Sequence, residues 1–463
     1  MKREVSGVGA KYPGWFPFAI AGVFFVVVMA MIAGSPDRYI YDEVYYHQYA
    51  TDLAKKGMGV DYLRELIAPP GPLHGIVHYA LGWATGLRPI PMRIVTNGVF
   101  LASGMCASLL LWRVGSREAW YGMAFLYAIP FAGVVIGVSL TESSAMLAAT
   151  LASLLAVMGA QTLDSCRQAL GDKLLGGKWF GYGLVAMAGF LYASAVWGRQ
   201  NYLVVLAALP LLFFHARGFA WRPWVLVTLL TGSGSFLLFG IWGGLVPEAV
   251  RFVSLGGEDS KPAGVVAGLN IVFGIRSLAY AALAFGILAP GVFKREWRLV
   301  FLCGAVALLG CLIFEPMRFL PSAYLVSKFL EEDILVPASI VFGAGFAFFG
   351  FWLFASVVWN CWDLISGDAL GTCRKSVGLF KRLGCLGWNE KLYLFGAAAW
   401  LLILASNMKI SHQFSSRYVV VAAPFFLFTA IYHFRPSTGA FLRLICGFAL
   451  SMFLLANYYE WIS

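Results

Sequence analysis

The ionisable residues of this sequence gather in a few short polar segments between long apolar runs. The first is Asp37-Arg38-Tyr39-Ile40-Tyr41-Asp42-Glu43-Val44-Tyr45-Tyr46-His47-Gln48-Tyr49. Adjacent carboxylates among tyrosines and a histidine can move protons, and ionisable groups at a membrane edge cost free energy unless paired or used. The bland reading is structural: Asp42 would cap a helix running from Val44 to Lys56, and Glu43 would favour its N-terminal dipole. Capping alone does not call for so many aromatic hydroxyls. Asp42 and Glu43 are therefore candidate catalytic carboxylates, with Tyr46 and His47 as substrate contacts beside them.

The second segment is Ala68-Pro69-Pro70-Gly71-Pro72-Leu73-His74-Gly75-Ile76-Val77-His78. Its prolines fix an extended turn. In the short helix that follows, His74 and His78 are i,i+4 on one face. That spacing can hold a metal, but no neighbouring Glu completes the usual pattern. Hydrogen bonding to a ligand or to Asp42 is the expected role. No cofactor is indicated, and a divalent metal stays open.

Three further sets complete the inventory. Thr141-Glu142-Ser143 opens a helix, so Glu142 is either a first-turn carboxylate or a third catalytic acid. Arg199-Gln200-Asn201 occupies a tight turn. Lys261 follows Gly257-Glu258-Asp259-Ser260, Arg318 follows Glu315-Pro316-Met317, and Lys409 to Tyr418 carries His412, Arg417 and Tyr418. Arg417 starts a helix, where the dipole disfavours a cation unless an anion lies nearby; a phosphate would satisfy it. Arg199, Asn201, Lys261, Arg318, Arg417 and Tyr418 are candidate substrate contacts.

The elements that must position these residues are membrane helices. Of 463 residues, 60% are hydrophobic and 12% charged, about half the charged share of soluble domains. The apolar residues fall in blocks of about 18 to 25, the length that crosses a hydrocarbon layer about 30 Å thick. Expected spans are 15–34, 92–112, 118–140, 142–161, 181–197, 200–215, 223–245, 265–290, 298–315, 334–357, 392–407, 417–434 and 439–457. Two are short enough to be re-entrant, so about 11–13 crossings are predicted. The stretch 73–87 is apolar but short and is expected at the interface. The first block, Trp15 to Gly34, is too long for a signal h-region and reads as a retained helix. No repeat of fixed period is present. The chain reads as one integral membrane domain, 1–463, all-α and polytopic, with a first outer loop at 35–91 and a basic loop at 358–391.

The net charge of +11 suits cytoplasmic loops that collect Lys and Arg, not nucleic-acid binding. With the N-terminus inside, the inner set includes Lys2, Arg3, Lys11, Arg113, Arg117, Lys173, Lys178, Lys294, Arg295, Arg298, Arg374, Lys375, Lys381 and Arg382. The polar segments described above then share the outer face. All eight cysteines fall in spans or inside, and disulfides form on the oxidising side, so none is expected. Short loops suit a bacterial inner membrane with the polar cluster on its periplasmic face.

Together these segments resemble the GT-C glycosyltransferases, which use polyprenyl-phosphate sugars on the outer or lumenal side of a membrane. The family's acidic pair in the first outside loop matches Asp42-Glu43. Its Pro-rich turn before a short helix matches Pro69-Pro70-Gly71-Pro72-Leu73. A second acidic motif opening a helix matches Thr141-Glu142, and a late Arg-Tyr opening a helix that runs to a proline matches Arg417-Tyr418 to Pro424. The resemblance covers most of the chain.

The branch most similar in motif is the dolichyl-phosphate-glucose α-1,2-glucosyltransferases. Their Asp-Glu-x-x-His is similar to Asp42-Glu43-Val44-Tyr45-Tyr46-His47, with one extra residue here. Their Arg-Gln-x-Asn is similar to Arg199-Gln200-Asn201, one residue shorter. Their late Asp-Asn-Arg-His-Tyr stands here as Ser415-Ser416-Arg417-Tyr418. The protein O-mannosyl and aminoarabinose branches are the second choice.

The resemblance implies an inverting transfer from a polyprenyl-phosphate-linked sugar donor to a hydroxyl of a glycan, lipid or protein acceptor, with membrane lipids as the other partners. The residues permit this chemistry. A carboxylate can take the acceptor proton, and the phosphate leaving group needs cations, for which Arg417, Arg199 and Lys261 are placed. Asp42 is the expected base, and Glu43 or Glu142 would position the acceptor. Two other classes remain: a transporter or flippase, which would place its charges near the bilayer midplane, and a polysaccharide polymerase or ligase, which usually carries a larger late outside loop.

Overall fold

The structure is a computed structural model describing residues 13–40, 42–68, 70–168, 175–216, 218–247, 269–315, 319, 332–366, 379–409 and 415–462. It is an all-α polytopic membrane protein. Its helices are α1 Phe16–Ala33, α2 Glu43–Lys56, α3 Val60–Arg64, α4 Leu73–Ala80, α5 Gly82–Thr85, α6 Pro89–Arg113, α7 Gly122–Tyr127, α8 Gly133–Gly137, α9 Thr141–Gln168, α10 Leu175–Gly198, α11 Trp221–Trp242, α12 Ile271–Leu288, α13 Trp297–Ile313, α14 Glu332–Ser366, α15 Leu379–Gly384, α16 Trp388–Ser406, α17 Arg417–Val420, α18 Ala423–His433 and α19 Thr438–Ile462. The strands among the described residues are one ribbon, β1 Phe214–His215 antiparallel to β2 Gly218–Phe219.

Nine helices among the described residues are long and apolar enough to cross a membrane: α1, α6, α9, α10, α11, α12, α14, α16 and α19. The apolar helices α13 and α18 are shorter. Several start where a proline sits in the first turn, as Pro17 does in α1, Pro89 in α6 and Pro424 in α18; its missing N–H would be unbonded there anyway. Large apolar side chains face outward along these helices, Phe301 at 74% exposure and Leu312 at 77%. Only an apolar medium matches such a surface.

The expected thirteen spans are corrected here. The 118–140 stretch is not one helix. It is a 3₁₀ turn at Ala119–Tyr121 followed by α7 and α8, with Pro130 between them, and Leu126, Ile129, Ala132, Ile136 and Leu140 have no exposure. The 200–215 stretch is two 3₁₀ segments, Gln200–Ala207 and Leu209–Phe213, divided at Ala208, with Pro210 in the first turn of the second. The 417–434 stretch breaks at Val421–Ala422, ahead of Pro424. Short apolar pieces buried inside a bundle have the same hydropathy as lipid-crossing helices, so hydropathy alone cannot separate them. The expected 358–391 loop is also shorter, because α14 continues to Ser366 and α16 starts at Trp388.

Helix α9 packs along α10 and α6, and α10 packs along α11. At one end of this group α2, α3 and α4 form an outer layer: α2 lies on α4, α4 on α9 and α10, and α3 on α11. Trp242 Nε1 donates to the Leu63 carbonyl (2.8 Å), pinning α3. Tyr49 Oη accepts the Ala68 N–H (2.9 Å) and lies 3.3 Å from the Pro70 carbonyl, holding the turn before α4.

Two glycines let that turn approach closely. A Cβ on Gly71 would overlap the Trp197 carbonyl, and one on Gly75 would sit 2.8 Å from Tyr49 Cβ. Gly71→Ala therefore sets backbone against backbone and is expected to cost about 1–3 kcal/mol. Gly98→Ala, where nothing lies within 4 Å, serves as the control. Thermal melting of the purified protein should show a loss for the first and none for the second.

Candidate active site

Four segments distant in sequence meet at this end of the bundle: the start of α2, the start of α9, the Arg199 turn after α10, and α17. The Arg417 Nη2 atom lies 2.5 Å from Asp42 Oδ2, and its Nε lies 3.8 Å from Glu142 Oε1. Arg199 Nη2 pairs with that same Glu142 oxygen. The Tyr418 ring lies beneath both guanidinium groups, 5.8 Å from Arg199 Cζ and 5.5 Å from Arg417 Cζ, an arrangement that suits cations and aromatic faces. Glu142 Oε2 is buried with no hydrogen-bond partner among the described residues. Two carboxylates and two guanidinium groups thus converge in one largely dry cluster.

Asp42 stands just ahead of α2 but makes no side-chain capping bond, so capping does not explain it. Its side chain is 19% exposed, against 0% for Glu142 and 1% for Glu43. Of the three acids, Asp42 is the most exposed. Tyr46 is buried behind it, and burial, with help from Asp42, raises its phenol well above the usual range. Tyr46 therefore stays a neutral hydroxyl. Burial opposes the charge on Arg417, but the carboxylates of Glu142 and Asp42 outweigh it and hold the guanidinium firmly protonated.

Glu43, expected as a catalytic carboxylate that positions the acceptor, lies in a buried ion pair with Arg93. It accepts from Arg93 Nε (2.9 Å) and Nη2 (2.7 Å), from Ile40 N (2.9 Å) and from Ser139 N (2.7 Å). These bonds take up both carboxylate oxygens. Arg93 has no exposure and also donates to Ser35 Oγ, Pro36 O and Arg38 O, each at 2.7 Å. The pair ties α6 to the 35–43 chain and to the segment leading into α9. It fixes where Asp42 and Glu142 begin their helices.

Arg93 was missed from the sequence. A signal existed: an arginine one position inside an expected span at 92–112 needs a partner. Ser139 carried no such signal.

His74 and His78 do lie together on one face of α4, with ring centroids 4.3 Å apart and planes tilted by 54°. Their Nε2 atoms both lie 3.3 Å from Ser139 Oγ, and that of His78 also lies 3.3 Å from Thr96 Oγ1. Among the described residues no third His, Cys, Asp or Glu joins them. His74 reaches the acid cluster through Tyr46, whose ring lies 5.7 Å away, and not by a bond to Asp42.

Both imidazoles are held neutral. Burial, then His78 and Arg199, push His74 well below its ordinary value, and burial lowers His78 to about 4. Unfolded His78 takes a proton near pH 6.5 and folded His78 does not until about 4. Stability from this site is therefore complete above pH 6.5 and is lost as pH falls toward 4. The melting temperature should fall between pH 7 and 5 in the wild type, and His78→Gln should flatten that slope. An unchanged slope would reject the assignment.

The remaining expected contacts are placed elsewhere or lie outside the description. His47 packs on Tyr39, with ring centroids 4.3 Å apart. Asn201 Nδ2 donates to Ser406 Oγ (2.7 Å) and Asn407 Oδ1 (3.1 Å), joining the turn to the end of α16. Lys261, Arg318 and His412 lie outside the described residues.

No protein-family model matches this chain, and no curated protein matches it. Among solved structures it is similar to ArnT from Cupriavidus metallidurans in the apo state, at 15% identity and a TM-score of 0.38, over 96% of this chain and 76% of that one. A TM-score of that size does not establish a common fold, so the site's chemistry rests on the residues of this chain.

Proposed function

We propose that this protein is an inverting membrane glycosyltransferase of the GT-C kind, which moves a sugar from a polyprenyl-phosphate carrier to an acceptor hydroxyl. The observation that carries the reading is the convergence of Asp42, Glu142, Arg199 and Arg417 at one end of the bundle. The donor's phosphate takes Arg417 as its counter-ion, which releases Asp42 Oδ2. The acceptor oxygen attacks the anomeric carbon as its proton passes to Asp42. The bond from that carbon to the phosphate oxygen breaks, and its electron pair leaves with the polyprenyl phosphate. Arg417 and Arg199 neutralise the charge that develops there. One base and no nucleophile makes this a single displacement, by analogy with inverting hydrolases. Glu142, locked to Arg199 with one open oxygen, orients the acceptor or a sugar hydroxyl.

The Lys and Arg counts support a site on the face away from the cytoplasm, and the short loops support a bacterial inner membrane. Charges clustered at one end of the bundle, away from its middle, favour this reading over a transporter.

Purified protein in detergent, offered short-chain polyprenyl-phosphate sugars with a panel of acceptors, tests it. Wild type should transfer or hydrolyse one donor, and Arg417→Gln should lower kcat by about 10²–10³-fold, as loss of a charge-stabilising group does. No reaction of well-folded wild type with any donor would refute the proposal.

A further inference from the structure

The other end of α9 carries a second polar feature that the transfer reaction does not use. Cys166 lies 24 residues along the helix from Glu142, about 36 Å at ~1.5 Å per residue. Here the end of α9 and the beginnings of α10 and α11 enclose a cavity of about 410 Å³. Its floor is apolar, with Leu163 buried and Phe219 half-buried. Its lining also includes the polar residues Lys178, Arg222 and Tyr182. None of its lining residues is a carboxylate, and neither Lys178 nor Arg222 is in an ion pair among the described residues. Arg222 lies over the Trp221 ring, 5.4 Å from its centroid.

The setting distinguishes this cavity from an ordinary basic surface. All three helices are long and apolar enough to cross a membrane, and this is where they end. Trp221, one of its lining residues, is 57% exposed, and Trp179, next in sequence to Lys178, is 74% exposed, as tryptophans are at headgroup level. Two cations and a hydroxyl over an apolar floor, at headgroup depth, complement a phosphate that carries acyl chains. We propose that this cavity binds the phosphate of an anionic phospholipid headgroup in the leaflet opposite the Asp42–Glu142 site.

The test is lipid binding to the delipidated full-length protein in detergent, read by native mass spectrometry. Phosphatidylglycerol, phosphatidylcholine and inorganic phosphate are compared on wild type, Lys178→Gln/Arg222→Gln and Lys178→Arg/Arg222→Lys. Wild type should hold one phosphatidylglycerol at least tenfold more tightly than phosphatidylcholine. The glutamine pair should bring the two lipids level, and the charge-conserving pair should keep the preference. Both cations are exposed, so melting curves should match across the three proteins. Equal binding of the two lipids by wild type would overturn the proposal, as would an undiminished preference in the glutamine pair. Displacement of phosphatidylglycerol by inorganic phosphate at equal concentration would overturn the lipid assignment and leave a site for a soluble phosphate.

Discussion

Asp42→Asn is expected to lower kcat by about 10²–10⁴-fold, the usual contribution of a positioned general base, with little change in KM for the donor. The substitution keeps the side chain's size and its acceptor toward Arg417 Nη2, which the aspartate meets at 2.5 Å. Asp42 is also partly exposed, so folding, membrane retention and melting temperature should stay at the wild-type level. Those controls separate a chemical loss from a structural one. Glu142→Gln is the companion measurement. It removes a buried carboxylate whose Oε1 pairs with Arg199, so it should raise KM as well as lower kcat if Glu142 orients substrate. A wild-type rate from Asp42→Asn, beside a dead Glu142→Gln, would move the base to Glu142.

Arg93→Met should produce the largest loss of stability. Removing one partner of a buried ion pair strands the other and typically costs about 3–5 kcal/mol. Glu43 would keep Ile40 N and Ser139 N but lose both guanidinium bonds, and Ser35 Oγ and two carbonyls would lose their donor. Adding Glu43→Gln removes the stranded charge, so the double variant should melt above Arg93→Met. This ordering checks the pairing itself: additive losses in the double variant would mean the two side chains act separately. Because the pair positions the starts of α2 and α9, residual activity in the folded fraction of Arg93→Met should also fall.

Much of this was legible in the residues. Runs of about 18–25 apolar side chains have to cross or fill a bilayer, because backbone polar groups cannot be left unbonded in hydrocarbon. Composition and hydropathy therefore determined the membrane class and most of the long helices. The α2 helix was readable from Val44 to Lys56 and starts at Glu43. The pairing of His74 and His78 on one face follows from a 3.6-residue turn. The suspicion that Arg417 needs an anion at a helix start follows from the dipole, and Asp42 meets that need.

What the tertiary structure alone decided is which polar groups face one another. Asp42 and Glu43 are adjacent and chemically equivalent in the sequence, yet one meets Arg417 at the edge of the cluster and the other is sealed against Arg93. A one-residue step along a helix rotates the side chain by about 100°, so the direction each carboxylate takes depends on what packs around α2. The partners lie 50 positions from Glu43 and 375 from Asp42, beyond any local pattern. The same limit hid the broken segments at 118–140 and 200–215. Whether an apolar run faces lipid or other helices is a property of its neighbours, and only the packed bundle supplies them.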